Sequence, residues 1–301
     1  MRVVITGGTG LIGSALASRL VRDGHAVTVT SRTPHGRPGP AGVDQVPWDG
    51  RSAKALGGHV DGADAVVNLV GAGLADRRWT PRRKKKLWES RTVAGQAVAR
   101  AIEAAARRPR VLLQASAVGL YGPKGDEMVT EDTLAGHDFL ARLCSAWEAS
   151  TSRVETMGVR RVVVRTGIVM AVSGGALARM LPPFRLGLGG RLGSGRQWMP
   201  WIHLADEVAA LVHLVGAADA AGAYNLTAPR PVTNSDFTVA LGRAIGRPTV
   251  MAVPAFALRV IFGEMAVVLL TGQRAVPRRL QDRGLHFGFP AVGAALADLL
   301  S

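Results

Sequence analysis

RVVITGGTGLIG, residues 2–13, decides how the rest of the chain is read. A run of β-prone residues enters a glycine turn, and LASRLV beyond it repeats its apolar positions at helical spacing. Strand, glycine turn and helix thus follow in the order that phosphate binding needs. Gly7, Gly10 and Gly13 fit one spacing, and Gly8, Gly10 and Gly13 fit G-x-G-x-x-G. Glycine lets the backbone approach a pyrophosphate and lets helix and strand pack closely. The helix start adds open N–H groups and partial positive charge. The stretch therefore predicts a dinucleotide on a Rossmann-type unit, with Gly7, Thr9, Gly10, Leu11, Ile12 and Gly13 around the phosphates.

Outward from this turn, apolar runs alternate with amphipathic helical stretches, the pattern of a doubly wound parallel α/β sheet. The pattern predicts strands at Arg2–Thr6, Ala26–Ser31, Ala65–Val70, Arg110–Ser116 and Arg161–Thr166. It predicts helices at Leu11–Arg22, Thr92–Ala106 and Phe139–Met157. After Met170 the alternation gives way to glycine-rich segments such as LGLGGRLGSGR (186–196), which suit substrate-side loops. IHLADEVAALVHLV (202–215) then reads as a helix, AYNLTA (223–228) as a strand, and SDFTVALGRAIG (235–246) as a helix capped by Ser235. Two helices are expected beyond Met251. The resulting division is a Rossmann domain of 1–170 plus 203–228 and a smaller C-terminal substrate lobe of 171–202 plus 229–301.

The end of the second strand selects the cofactor, because an acidic side chain there would accept from the ribose 2′-OH of NAD. Here the chain reads VTVTSRTP, and Ser31 with Arg32 occupies the position. A guanidinium pairs well with a 2′-phosphate, so NADP(H) is the expected cofactor. The end of DAVVNLVG (64–71) adds Leu69, Val70 and Gly71 along the adenosine.

Bulk properties bound the rest. The 301 residues carry a net charge of +15, which calls for an anionic partner such as a nucleotide or a phosphorylated small molecule. Cys144 is the only cysteine, so an intramolecular disulfide is excluded and a reducing, cytoplasmic setting is expected. The opening residues read as a strand without a basic and apolar signal pattern, so no export is expected. The apolar stretch Val253 to Gly272 contains Arg259 and Glu264, which fits a packed helix better than a membrane span, and no membrane contact is expected. Between Arg77 and Lys86 seven of ten residues are basic. No nucleic-acid-binding signature accompanies them, so the run is read as a solvated face that draws in anionic substrate.

Several blocks together carry a resemblance: NLVGAGLADRRWTPRRKKKLWESR (68–91), SAVGLYGPKGDE (116–127), LPPFRLGLGG (181–190), GSGRQWMPWIHLAD (193–206) and NLTAPRPVTNSDF (225–237). They resemble the atypical extended short-chain dehydrogenase/reductases, in the group of epimerase-like proteins with an additional C-terminal module. The resemblance covers essentially the whole chain. It implies a Rossmann fold, NADP(H), an oxidoreductase or epimerase role on a nucleotide-sugar or other anionic molecule, and allows a homodimer. It also implies cofactor contacts from Ser31, Arg32, Leu69, Val70 and Arg91.

One expected feature is missing. The superfamily moves protons with a Tyr-x-x-x-Lys pair beside a serine. The only tyrosines here are Tyr121 and Tyr224, followed four residues on by Gly125 and Ala228. Where a helix should supply the pair stand Phe139 and Leu143. Ser116 fills the serine position, and Tyr121, Lys124, Glu127 and His203 are candidates for a relocated acid or base, Tyr121 foremost. Alternatively the chain binds NADP(H) without turnover, as a sensor or interaction module.

Overall fold

The computed structural model describes residues 1–33 and 39–301. Its centre is a seven-stranded, wholly parallel sheet. β1 (Arg2–Thr6), β2 (Ala26–Ser31), β3 (Asp44–Pro47), β4 (Ala65–Asn68) and β5 (Val111–Ala117) are joined by the strands Arg160–Thr166 and Gly222–Leu226. From one edge the order is Gly222–Leu226, Arg160–Thr166, β5, β4, β1, β2, β3. The chain thus reverses direction of growth between β1 and β4, which opens a crevice at their C-terminal ends.

Apolar side chains alternate to both faces, as a doubly covered sheet requires. Val3, Ile5, Val67 and Leu113 meet α1 (Leu11–Arg22) and α6 (Leu204–Gly216). Val4, Val66 and Leu112 meet α2 (Ala53–Val60) and α3 (Pro81–Ala104). Ala94, Ala97, Val98 and Ala101 give α3 a small-residue face that approaches the sheet closely. A polar tie crosses the interior. Thr6 Oγ1 donates to Asn68 Oδ1 at 2.7 Å, and Asn68 Nδ2 donates to Gln114 Oε1 at 2.8 Å, all three residues being fully buried.

A second core gathers Met170 and Trp201 from the paired strands Ile168–Ala171 and Trp201–His203 with Leu181 and Phe184 of α5 (Gly175–Arg185), Phe237 of α7 (Asn234–Ala244) and Leu296 of the C-terminal segment. The segment contains α8 (Ala255–Phe262), α9 (Val267–Leu270), α10 (Arg278–Asp282) and α11 (Val292–Leu300). Part of this segment returns to the large layer. Leu280 and Phe287 pack in the main core, and Arg274–Ala275 pairs with Met128–Val129. Within the stretch 229–301, residues near 274–287 thus pack against the large sheet's side of the molecule.

Local chemistry explains where the elements depart from expectation. β3 and α2 were not foreseen: β3 is a four-residue edge strand ending in proline, and α2 contains Gly57 and Gly58. α3 begins eleven residues earlier than the periodicity indicates, at Pro81 behind the N-cap Thr80, so Arg82 to Lys86 of the basic run lie in its first turns. The helix expected over Phe139–Met157 divides into α4 (Phe139–Ala149) and a 3₁₀ turn at Ser152–Met157. Ser150 turns its hydroxyl back to Trp147 O, competing with the helix ladder. α7 is capped by Thr233 rather than Ser235, because Asp236 three residues on closes a reciprocal capping box. Trp201–His203 is a strand paired with Ile168–Ala171, and α6 starts only after it. The apolar stretch 253–272 is not one helix, since Gly263 at φ +60° breaks it after α8.

Candidate functional site

The crevice at the sheet's C-terminal edge is a cleft of about 500 Å³. Gly7, Thr9 and Gly10 form its base, Ser31 and Arg32 one end, and Leu69, Val70 and Gly71 a wall. The glycines are required by space. Gly7 has φ +77°, and a Cβ there would lie 2.9 Å from the Leu69 carbonyl. A Cβ on Gly13 would stand 2.5 Å from Gly7 O and 2.7 Å from the Gly8 Cα. Gly10 N–H closes the turn on Gly7 O at 3.1 Å. The start of α1 has no side-chain cap and no acidic residue in its first turn, which leaves its N–H groups and dipole for an anion.

Leu11, Ile12 and Gly13 form that first turn without lining the cleft. Ser31 Oγ accepts from Thr33 N at 3.2 Å and so shapes the turn that presents the exposed Arg32. Beside it stand Trp48, Asp49 and Arg51, which follow the unforeseen β3. Asp49 accepts from the N–H groups of Arg51 and Ser52, each at 2.8 Å, and these bonds hold its carboxyl below the ordinary range. The dipeptide Asp49-Gly50 is a turn signal that could have located this wall.

α3 furnishes the opposite wall with Arg83, Lys86, Glu89 and Ser90. Ser90 Oγ accepts from Ala72 N at 3.1 Å, and Arg91 Nη2 donates to Ala72 O at 3.0 Å, so the loop after β4 is fixed from both sides. Arg91 does not line the cleft. It is buried beneath Gly71 and over the Trp147 ring, and burial lowers its pKa to about 10. The basic run is only partly a free face. Arg83 bonds Gly73 O and Arg179 on α5 reaches Asp76 at 2.9 Å, which ties loop 71–79 to α3 and α5, while Lys84 pairs with Glu264 at 2.6 Å.

Farther along the strand ends, Ser116 and Arg165 are register partners on one face of the sheet. Both meet Glu148 of α4. Ser116 Oγ donates to Glu148 Oε1 at 2.6 Å, and Arg165 grips the carboxylate through Nε at 3.0 Å and Nη2 at 3.2 Å. Burial alone would lower the pKa of Arg165, but Glu148 overrides it and raises it. Sequence reasoning missed Glu148, whose distance of 32 residues from Ser116 conceals their contact.

Tyr121 is drawn into the same network from the other side. Its hydroxyl donates to Asn225 Oδ1 at 2.7 Å and accepts from Arg165 Nη1 at 3.0 Å. The ring is fully buried, and burial pushes the phenol to about 12. Its hydroxyl is engaged by Asn225 and Arg165, and Ser116 on the same network is buried as well. Lys124 and Glu127 lie in the next turn, and Glu127 is exposed. His203 caps α6, its Nδ1 accepting from Ala205 N at 3.0 Å, and stacks on Phe289. Phe139 packs edge-on against Trp79, with ring centroids 5.3 Å apart. Cys144 is buried, and burial raises its thiol to about 12.

This sheet order, with an uncapped glycine turn at the crevice, defines a doubly wound α/β protein of the nucleotide-binding class. The chain belongs to the NAD dependent epimerase/dehydratase family, whose description matches residues 3–227, and a domain of unknown function, DUF1731, matches residues 253–299. It is 43% identical over 295 residues to epimerase family protein Mb2239 of Mycobacterium bovis, covering 98% of this chain and 96% of that one. The crystal structure of human epimerase family protein SDR39U1 (isoform 2) with NADPH is similar at a TM-score of 0.91 and 38% identity, covering 100% of this chain and 99% of the human one. The nucleoside-diphosphate sugar epimerase of Corynebacterium glutamicum is similar at a TM-score of 0.78 and 32% identity. All of this chain is covered there, but only 58% of the Corynebacterium chain.

Proposed function

We propose that this chain binds NADP(H) in the β1–β4 crevice and acts as an oxidoreductase or epimerase on a small anionic molecule, a nucleotide-sugar being one such class. The observation that carries the reading is Arg32 at the end of β2, where an acidic side chain would select NAD. The human relative crystallised with NADPH supports it. Gly7, Thr9 and Gly10 with the open start of α1 would hold the pyrophosphate, and Arg32 the 2′-phosphate. Leu69, Val70 and Gly71 would flank the adenosine. A basic wall of Arg83 and Lys86 favours an anionic substrate. The single buried thiol suits a reducing cytoplasm.

When bound, the nicotinamide supplies hydride transfer. On the protein side, Ser116 spends its proton on Glu148, so its lone pairs are free to accept from a substrate hydroxyl. A proton leaving that hydroxyl passes to Ser116 Oγ as the serine proton passes to Glu148, and reduction runs the relay backwards. Arg165 holds the carboxylate in place and is itself positioned by the Tyr121 hydroxyl. The second reading, a non-catalytic NADP(H) sensor, is favoured by Phe139 and Leu143 where a proton-moving pair is expected.

Equilibrium binding of NADPH and NADH tests the first step. Stronger NADPH binding, weakened about 10-fold to 100-fold by Arg32→Ala while NADH binding is unchanged, is expected for loss of a charge-assisted hydrogen bond. Equal binding of the two cofactors would overturn the assignment. Screening carbonyl compounds and nucleotide-sugars against NADPH oxidation or sugar inversion then separates enzyme from sensor. Loss of turnover in Glu148→Gln with NADPH affinity retained is the outcome expected of the relay.

A further inference from the structure

α8 carries its apolar side chains outward. Of AFALRVIF only Leu258 is buried, while Phe256 and Val260 are each 70% exposed and Ile261 is 57% exposed. Residues 256 and 260 are one turn apart and form a single stripe. The strand Met251–Val253 leads into α8, with Val250 and Met251 also exposed, and it pairs with Gly190–Leu192, which exposed Leu186 and Leu188 precede. Soluble surfaces ordinarily scatter such side chains singly, and a grouped set marks an interaction face.

The surrounding charge indicates what fits this face. Arg185, Arg191 and Arg259 lie on or beside the segments that make it, and all three are exposed. The acid that follows α8, Glu264, is exposed as well but is paired with Lys84 at 2.6 Å. Arg185 immediately precedes Leu186, Arg259 lies on α8 beside Val260, and the Arg78 guanidinium packs against Gly263 at the end of the helix. A second copy of the chain would set these arginines against their own kind, with +15 on each partner. Anionic headgroups complement them, and the acyl boundary below accepts the aromatic and aliphatic stripe.

We propose that this face docks on an anionic lipid bilayer, lying in its interface. Among the described residues no helix is long and apolar enough to cross a membrane, and a surface-lying attachment needs none. The proposal replaces the expectation of no membrane contact, which rested on spanning segments alone. It is independent of the cofactor assignment.

Flotation of the full-length protein with vesicles tests it, using phosphatidylcholine alone and phosphatidylcholine with one third phosphatidylglycerol. Binding to the anionic vesicles only, falling as salt is raised, is expected. Arg259→Ala should weaken it about fivefold, the effect of one arginine near an anionic surface. Phe256→Ser with Val260→Ser should abolish it, and Leu134→Ser, at an exposed leucine elsewhere on the chain, should leave it intact. NADPH binding or an unchanged thermal transition verifies that each variant is folded. Absence of flotation would overturn the proposal, as would binding that survives the double substitution. A concentration-dependent dimer that the double substitution dissolves, without vesicle binding, would assign the face to a second copy instead.

Discussion

Glu207 is an acidic side chain taken out of water. It is fully buried at the start of α6, Thr166 Oγ1 donates to its Oε1 at 2.8 Å, and its Oε2 has no hydrogen-bond partner among the described residues. Burial raises its pKa from 4.5 to about 8. The folded chain therefore keeps this proton through a range in which the unfolded chain has lost it. The stabilisation from this group is complete below about 4.5 and is lost as pH rises towards about 8, at up to about 1.4 kcal/mol per unit. Glu207→Gln should flatten the fall in stability between pH 5 and 8 in urea titrations. An unchanged pH slope in the variant would show that the carboxyl is ionised when folded. At Gly13, a methyl group would press on the Gly7 carbonyl and the Gly8 Cα. Gly13→Ala should cost about 3 kcal/mol by overpacking and abolish NADPH binding, read by thermal melts and titration.

At the scale of elements, caps and charges set the boundaries. Thr233→Ala removes half of the capping box of α7 and should cost about 1 kcal/mol in chemical denaturation, with the urea dependence unchanged. α1, β1 and β2 were legible to the residue, because a strong apolar period is closed at each end by glycine or by polar turn residues. The strand at 65–70 was read two residues long, since Leu69 and Val70 are apolar yet leave the sheet to line the cleft. The start of α3 was concealed by its own charge. Five cations in its first turns disfavour a helix N-terminus, and tertiary partners such as Glu264, 180 residues away, make the turns acceptable. The Ser116–Glu148–Arg165 contact was illegible for a related reason. Each residue is ordinary in its own segment; strand register brings Ser116 beside Arg165, and the packing of α4 on β5 brings Glu148 to both.

For the whole molecule, the return of residues 274–287 to the sheet couples the C-terminal module to the dinucleotide domain. Thr227 Oγ1 and Asn225 Nδ2 donate to the backbone of Ala275 and Val276, and Arg279 N donates to the buried Glu131. The two cores should consequently melt together, in one calorimetric transition. Saturation with NADPH at 100 times its Kd should add about 2.7 kcal/mol to that single transition. Two resolved transitions, with only the first shifted by NADPH, would mean that the cores fold separately.

The amide tie of Thr6, Asn68 and Gln114 has a further consequence for how such a sheet can change over time. Three neighbouring strands are stitched at one level, and each side chain satisfies the next. Replacing one with an apolar residue strands its neighbour without water, whereas replacing all three loses little. Descendants of this sequence should therefore keep the triplet intact or abandon it as a set, and a chain caught between those states would be the least stable of the three.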